Sequence, residues 1–206
     1  MSNIITSKQQ EFIDRVYKAL KENAPAYNIK AYPAIIAQAI LESGWGESKL
    51  AKQYNNYFGM KCGSSWKGRA VNLNTFEEVS GRNVNVSALF RVYDSFEEGI
   101  VGYLDFINVK RYSNLKGIKN SYEYLTLIKK DGYATSSSYV KVLISIINSY
   151  DLERYAYTLN GTSYNQIALD CIRGKYGNGR ERKEKIEALG YDYSKVQSIV
   201  NQMLEV

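Results

Sequence analysis

Between Ala70 and Val92 the hydrophobic period of this chain changes from helical to two, and no other stretch limits the architecture as much. Val71, Leu73 and Thr75 alternate on one arm, Val84, Val86, Ala88 and Phe90 on the other, and Val79-Ser80-Gly81-Arg82 supplies a turn. Elsewhere the period is helical. A capping box at Ser7 and Gln10 precedes Phe12, Ile13, Val16, Tyr17 and Leu20, which predicts a helix over residues 8–23. A second box at Ser95 and Glu98 opens a helix through Phe96, Ile100, Tyr103, Leu104 and Ile107. Further helices are predicted over 121–130 and 140–150, with a short turn over 47–53 and an irregular loop over 55–68. A hairpin standing out from a helical body is an α+β arrangement, and such a lobe can wall one side of a cleft.

Residues 32–46 carry the first chemical signal. Pro33 suits the first turn of a helix and Gly44 the position just past its end, so the helix runs from about Pro33 to Ser43. Ile35, Ile36, Ala39 and Ile40 form an apolar stripe that must be buried on at least one side. Glu42 falls in the last turn. There the negative end of the helix dipole disfavours a second negative charge, and desolvation by Trp45 and the isoleucines would add to the effect. Both raise a carboxyl pKa, as a general acid requires. A glutamate in a last helical turn is more often simply a solvated surface residue.

Composition narrows the chemistry. The chain has no histidine, so a Ser-His-Asp triad, a Cys-His amidase and a His-ligated zinc hydrolase are excluded, and neither a metal nor another cofactor is expected. Acid and base work must fall to carboxylates and tyrosines. Nineteen tyrosines against six phenylalanines favour rings that can both stack on and hydrogen-bond to a sugar, although many such rings are ordinary core. Lys and Arg number 27 against 21 Asp and Glu, and the resulting +6 draws the protein to polyanions. Neither a run of five basic residues nor a nucleic-acid motif is present, so nucleic acid is not the expected partner. No apolar run approaches the roughly 18 residues of a membrane span, and the start of the chain lacks a charged region followed by an apolar one. The sequence therefore predicts neither a span nor a signal peptide. Cys62 and Cys171 are expected to be reduced and structural.

The segment Ala37-Gln38-Ala39-Ile40-Leu41-Glu42-Ser43-Gly44-Trp45-Gly46, followed by Asn55-Asn56-Tyr57-Phe58-Gly59-Met60-Lys61, resembles the N-acetylglucosaminidases of glycoside hydrolase family 73. Their pattern is Ala-Gln-Ala-Ile-Leu-Glu-Ser-Gly-Trp-Gly and then Asn-Asn-Leu-Phe-Gly-Ile-Lys. The likeness continues in Phe90-Arg91-Val92-Tyr93-Asp94-Ser95 and in Gly132-Tyr133-Ala134-Thr135, and spans roughly residues 8–152. It implies a lysozyme-like, mainly helical domain with a β-hairpin lobe, and Glu42 as catalytic acid. The family's second acidic group lies on the β-lobe in Thr-x-Glu-Tyr, which maps to Glu77 with Glu78 in the tyrosine position. Neighbours on a strand face opposite ways, so the choice between Glu77 and Glu78 stays open. Family members read Tyr-Ala-Thr-Asp-Pro-x-Tyr where this chain has Ser136-Ser137 for Asp-Pro, and the active-site tyrosine is Tyr139 or Tyr133. Trp45, Asn56, Tyr57, Phe58 and Trp66 are the candidate sugar-binding residues.

A second resemblance covers residues 164–206. Gly174-Lys175-Tyr176-Gly177-Asn178-Gly179 with Arg182, then Gly190-Tyr191-Asp192-Tyr193, is similar to the choline-independent cell-wall-binding repeat of phage lysins. Tyr176 stands where tryptophan is usual. Three short helices are expected, with Tyr176, Asn178 and Arg182 as wall contacts around the glycine-rich loop. The expected organisation is thus a glucosaminidase domain over 1–153, a linker over 154–163 and a wall-binding repeat over 164–206. The two resemblances together imply a monomeric peptidoglycan hydrolase acting on glycan strands and muropeptides, an endo-β-N-acetylglucosaminidase of phage endolysin type made in the host cytoplasm. A lytic transglycosylase or an autolysin on the same fold is the alternative. In the hydrolase, Glu42 protonates the leaving oxygen, and either Glu77 activates water or the substrate's acetamido group attacks with tyrosine support.

Overall fold

A computed structural model describes the backbone of residues 5–79, 82–156 and 164–204, and the side chains of these except at 75–79 and 82–84. The described chain divides into two compact units, one of Ile5–Asn28 and Ile35–Lys116, the other of Ile29–Ala34 and the described part of Gly117–Val206.

In the first unit α1 (Ser7–Asn23) buries Phe12, Ile13, Val16, Ala19 and Leu20, the stripe that the period predicts. Its capping box starts one residue earlier than expected. Thr6 is extended and its Oγ1 accepts from the Gln9 N–H, while Gln9 Oε1 accepts from the Thr6 N–H at 3.0 Å. Ser7 is then the first helical residue, and Gln10 donates to Asp14 at 2.8 Å instead of closing a box.

Helix α2 (Tyr32–Ser43) is buried nearly all round; Ile35 and Ile36 are fully covered, and so are the polar Gln38 and Ser43. Gln38 is tolerated in this core because its Oε1 accepts from the buried Tyr103 hydroxyl at 2.8 Å, which ties α2 to α4 (Phe96–Ile107). Between them lie α3 (Lys49–Tyr54) and an antiparallel hairpin of β1 (Ala70–Val79) and β2 (Arg82–Arg91), with Ala70 opposite Arg91 and Val71 opposite Phe90. The expected turn residues Ser80 and Gly81 lie outside the described residues. At the start of α4 Ser95 accepts from the Glu98 N–H, but Glu98 reaches back to the Asp94 N–H at 2.9 Å, one residue beyond the usual box.

The second unit contains α5 (Ser121–Lys130) and α6 (Tyr139–Ser149), whose buried Tyr124, Leu125, Ile128, Leu143 and Ile147 follow the predicted helical period. A 3-10 turn at Leu152–Tyr155 takes up the first residues of the expected linker, and Leu152 and Tyr155 are buried in it. Residues 157–163 lie outside the described residues. Helices α7 (Tyr164–Ile172), α8 (Gly179–Ala188) and α9 (Tyr193–Leu204) then enclose a small core of Tyr164, Ile167, Ala168, Cys171, Tyr176, Ile186, Tyr191, Val196 and Val200. Among the described residues no helix is long and apolar enough to cross a membrane.

Candidate active site

Glu42 stands exposed in the last turn of α2, at the wall of a cleft of about 630 Å³. The same cleft is lined by Ser48, Lys49 and Leu50 from the start of α3, by Asn72, Leu73 and Asn74 of β1, and by Phe90 of β2. The hairpin therefore walls one side of the space that Glu42 faces. Its volume lies in the range of ordinary ligand sites.

The carboxyl is positioned by how the helix ends. Gly44, Trp45 and Gly46 take φ values of 56°, 63° and 76°, three left-handed residues in a row, where an L side chain is disfavoured. Gly46 has a second reason to be glycine, since a Cβ there would sit 2.8 Å from the Phe12 ring. This turn is held by Ser43, whose hydroxyl donates to the Ala39 carbonyl at 2.5 Å and accepts from the Gly46 N–H at 2.7 Å. The Trp45 N–H closes on the Ile40 carbonyl at 3.1 Å. Ser48 then accepts from the Ala51 N–H and starts α3.

The other sequence candidates divide. Trp45 does not line the Glu42 cleft; its ring meets Phe12 edge-on at 6.4 Å and lines a separate groove with Arg15, Tyr57 and Phe96. The expected desolvation of Glu42 by Trp45 and the isoleucines is thus absent, since Ile35, Ile36 and Ile40 are buried inside while Glu42 is exposed. Tyr57 and Phe58 are buried rings that do not line the Glu42 cleft, and Tyr57 instead borders the separate groove beside Trp45. Tyr57 packs 4.6 Å from Phe96, with burial raising its hydroxyl pKa, and Phe58 stacks on Tyr103 at 4.1 Å. Asn56, 1% exposed, donates to the Met60 and Arg91 carbonyls at 2.9 Å each and accepts from the Met60 N–H at 2.8 Å. Every polar atom of that amide is engaged in pinning loop 55–60 to the end of β2, a scaffolding role. Trp66 is half-buried, donates to the Arg69 carbonyl and carries the Arg91 guanidinium 4.7 Å above its ring.

Glu77 and Glu78 occupy register positions opposite Val84 and Asn83, and their side chains lie outside the described residues. In the second unit the Tyr133 and Tyr139 rings lie 6.1 Å apart, Tyr139 buried and Tyr133 half-buried. Tyr176 is a core residue of its helical module, and Arg182 is committed to the turn, donating to the Gly177 carbonyl at 2.9 Å and to Asn178 Oδ1 at 2.7 Å. Lys49, which lines the cleft, carries no local signal in the sequence, and the part that Ser43 plays in holding the turn after Glu42 carries none either.

Residues 17–152 match the family model described as mannosyl-glycoprotein endo-beta-N-acetylglucosaminidase. The chain belongs to this glucosaminidase family. Residues 165–204 match the CW_7 repeat. Among similar glucosaminidase-family proteins is the exo-glucosaminidase LytG of Bacillus subtilis, 35% identical over 155 residues, which are 72% of this chain and 54% of the relative. A probable N-acetylmuramidase of Lactococcus lactis subsp. cremoris is 32% identical over 75% of this chain and 37% of its own length. The chain thus spans about half or less of these relatives. A solved peptidoglycan hydrolase mutant from Sphingomonas sp. A1 superposes with a TM-score of 0.62 at 31% identity, covering 71% of this chain and 97% of that one. The lysozyme-like helical fold with a small hairpin, expected from the sequence, is the fold of this family member.

Proposed function

We propose that this chain hydrolyses peptidoglycan as an endo-β-N-acetylglucosaminidase, with Glu42 protonating the leaving oxygen of the N-acetylglucosaminyl bond. The observation that carries the reading is the placement of Glu42, exposed at a helix end within the family match and facing a hairpin-walled cleft. For the other half of the reaction, Glu77 activates a water, or the substrate acetamido group attacks with Tyr139 or Tyr133 in support. Residues 165–204 tether the enzyme to the wall, in keeping with the CW_7 match. The phage endolysin origin is part of the proposal, and a secretory leader upstream of Met1 in the native reading frame would refute it.

Glu42→Gln tests the assignment: the fold is retained and turnover falls about 10²- to 10⁴-fold, the usual contribution of a positioned general acid. Turnover of muropeptides near the wild-type rate would overturn it. The bond and the reaction are read from the products. A reducing N-acetylglucosamine end supports the glucosaminidase, a reducing N-acetylmuramic acid end supports the muramidase reading that the Lactococcus lactis relative's name favours, and an anhydro-muramoyl end identifies a transglycosylase.

A further inference from the structure

We propose that Lys49 makes the Glu42 cleft selective for glycan strands that carry a carboxylate, over strands of the same length that are neutral. This rests on the reading of that cleft as the substrate site. Lys49 is the one cation among the described residues that line it. Neighbouring cations already have acidic partners: Lys8 lies 2.6 Å from Glu47, Lys52 shares that same carboxylate, and Arg69 pairs with Asp94. Both lysines hold the Glu47 carboxyl below its ordinary range. Lys49, by contrast, has no acidic partner among the described residues.

The charge balance of the cleft follows from this. Lys49 supplies the one positive charge of the described lining, in the same cleft as the Glu42 carboxyl. The remaining polar groups suit an uncharged sugar. Asn72 and Asn74 present amides from β1, and Asn72 Oδ1 accepts from Ser87 at 2.5 Å, which leaves its NH2 to donate. Leu50, Leu73 and Phe90 offer apolar surface. Amides and apolar wall fit an N-acetylated hexosamine, and the unpaired ammonium adds a requirement that a neutral strand leaves unmet. The anion is a carboxylate of the strand itself, either on a stem peptide or on a lactyl ether from which the peptide has been removed.

The test uses the full chain and three strands of equal length: one with stem peptides, one peptide-free with its lactyl carboxylates, and one peptide-free with those carboxylates capped as methyl amides. Binding is measured by calorimetric titration at low temperature, and KM and kcat by reducing-end release. Lys49→Gln is expected to weaken binding and raise KM for the carboxylate strands about two- to five-fold, the value of an exposed ion pair, with kcat unchanged. The capped strand is expected to be unaffected, Lys49→Arg to behave as wild type, and raised salt to erase the wild-type preference. A loss confined to the peptide-bearing strand identifies the stem-peptide carboxylate, a loss confined to the peptide-free charged strand identifies the lactyl one, and a loss on both shows that the ammonium accepts either carboxylate. Equal effects of Lys49→Gln on charged and capped strands, or none on either, overturn the proposal. Lys49-dependent binding without any hydrolysis would instead sink the hydrolase reading and leave the selectivity standing.

Discussion

Replacing Asn56 by alanine separates a scaffolding residue from a substrate ligand. The side chain is 1% exposed and makes three hydrogen bonds of 2.8–2.9 Å, to both backbone groups of Met60 and to the Arg91 carbonyl. Each such bond contributes about 0.5–1.5 kcal/mol net, and a buried group left without a partner costs about 1–3 kcal/mol. Losing all three places Asn56→Ala at about 3–4 kcal/mol, a large share of the roughly 5–15 kcal/mol that stabilises a domain. Asn56→Asp keeps the shape and the acceptor for Met60 but turns a carboxylate oxygen toward two carbonyls, so it should cost at least as much. Urea unfolding followed by tryptophan fluorescence reads the effect, since both tryptophans, Trp45 and Trp66, lie in this unit. KM for soluble muropeptides should stay at its wild-type value where the variant remains folded. A variant within about 0.5 kcal/mol of wild type, the range of ordinary surface substitutions, but with a raised KM would show that the amide faces substrate, and the reasoning would fail.

Three further outcomes follow from the same structure. Gly46→Ala adds a clash with Phe12 to a left-handed φ, for about 2–4 kcal/mol, whereas Gly44→Ala meets nothing within 4 Å and should cost only about 1–2 kcal/mol; equal losses in the same urea assay would refute the packing argument. In the helical module, the Lys175 ammonium 2.7 Å from Asp170 holds that carboxyl below its ordinary range of about 3.9. A depressed carboxyl stabilises the fold above its unfolded value, so hydrogen-exchange protection of residues 164–204 should be full above about pH 4 and fall as pH drops through the folded value. In Lys175→Ala the acid-dependent loss should shrink, and an unchanged pH profile would show that the pair does not hold the module. Truncation after residue 160 should spare hydrolysis of short soluble muropeptides while reducing lysis of whole walls, most clearly at low protein concentration, and equal lysis across salt concentrations would remove the tethering role.

Periodicity is a local property of the chain, and it is enough to make the secondary-structure elements legible in the sequence. The period of two over Ala70–Val92 is the hairpin, and the apolar stripe after Pro33 is α2, ending at Gly44 in the left-handed conformation that only glycine adopts without strain. Glu42 is legible for the same reason, because its place at the end of α2 is written in the residues on either side of it. The fate of each aromatic ring is not, since a ring in a loop packs against whatever the fold brings to it from far along the chain. Phe58 goes to the core because α4 supplies Tyr103, and Trp45 leaves the Glu42 cleft because the left-handed turn directs it to Phe12 of α1. Asn56 likewise becomes a clamp only when β2 brings the Arg91 carbonyl within 2.9 Å. Lys49 is set apart from its neighbours Lys8 and Lys52 by where Glu47 lies in three dimensions, and electrostatic pairing of that kind depends on distance in space, which spacing along a sequence does not encode.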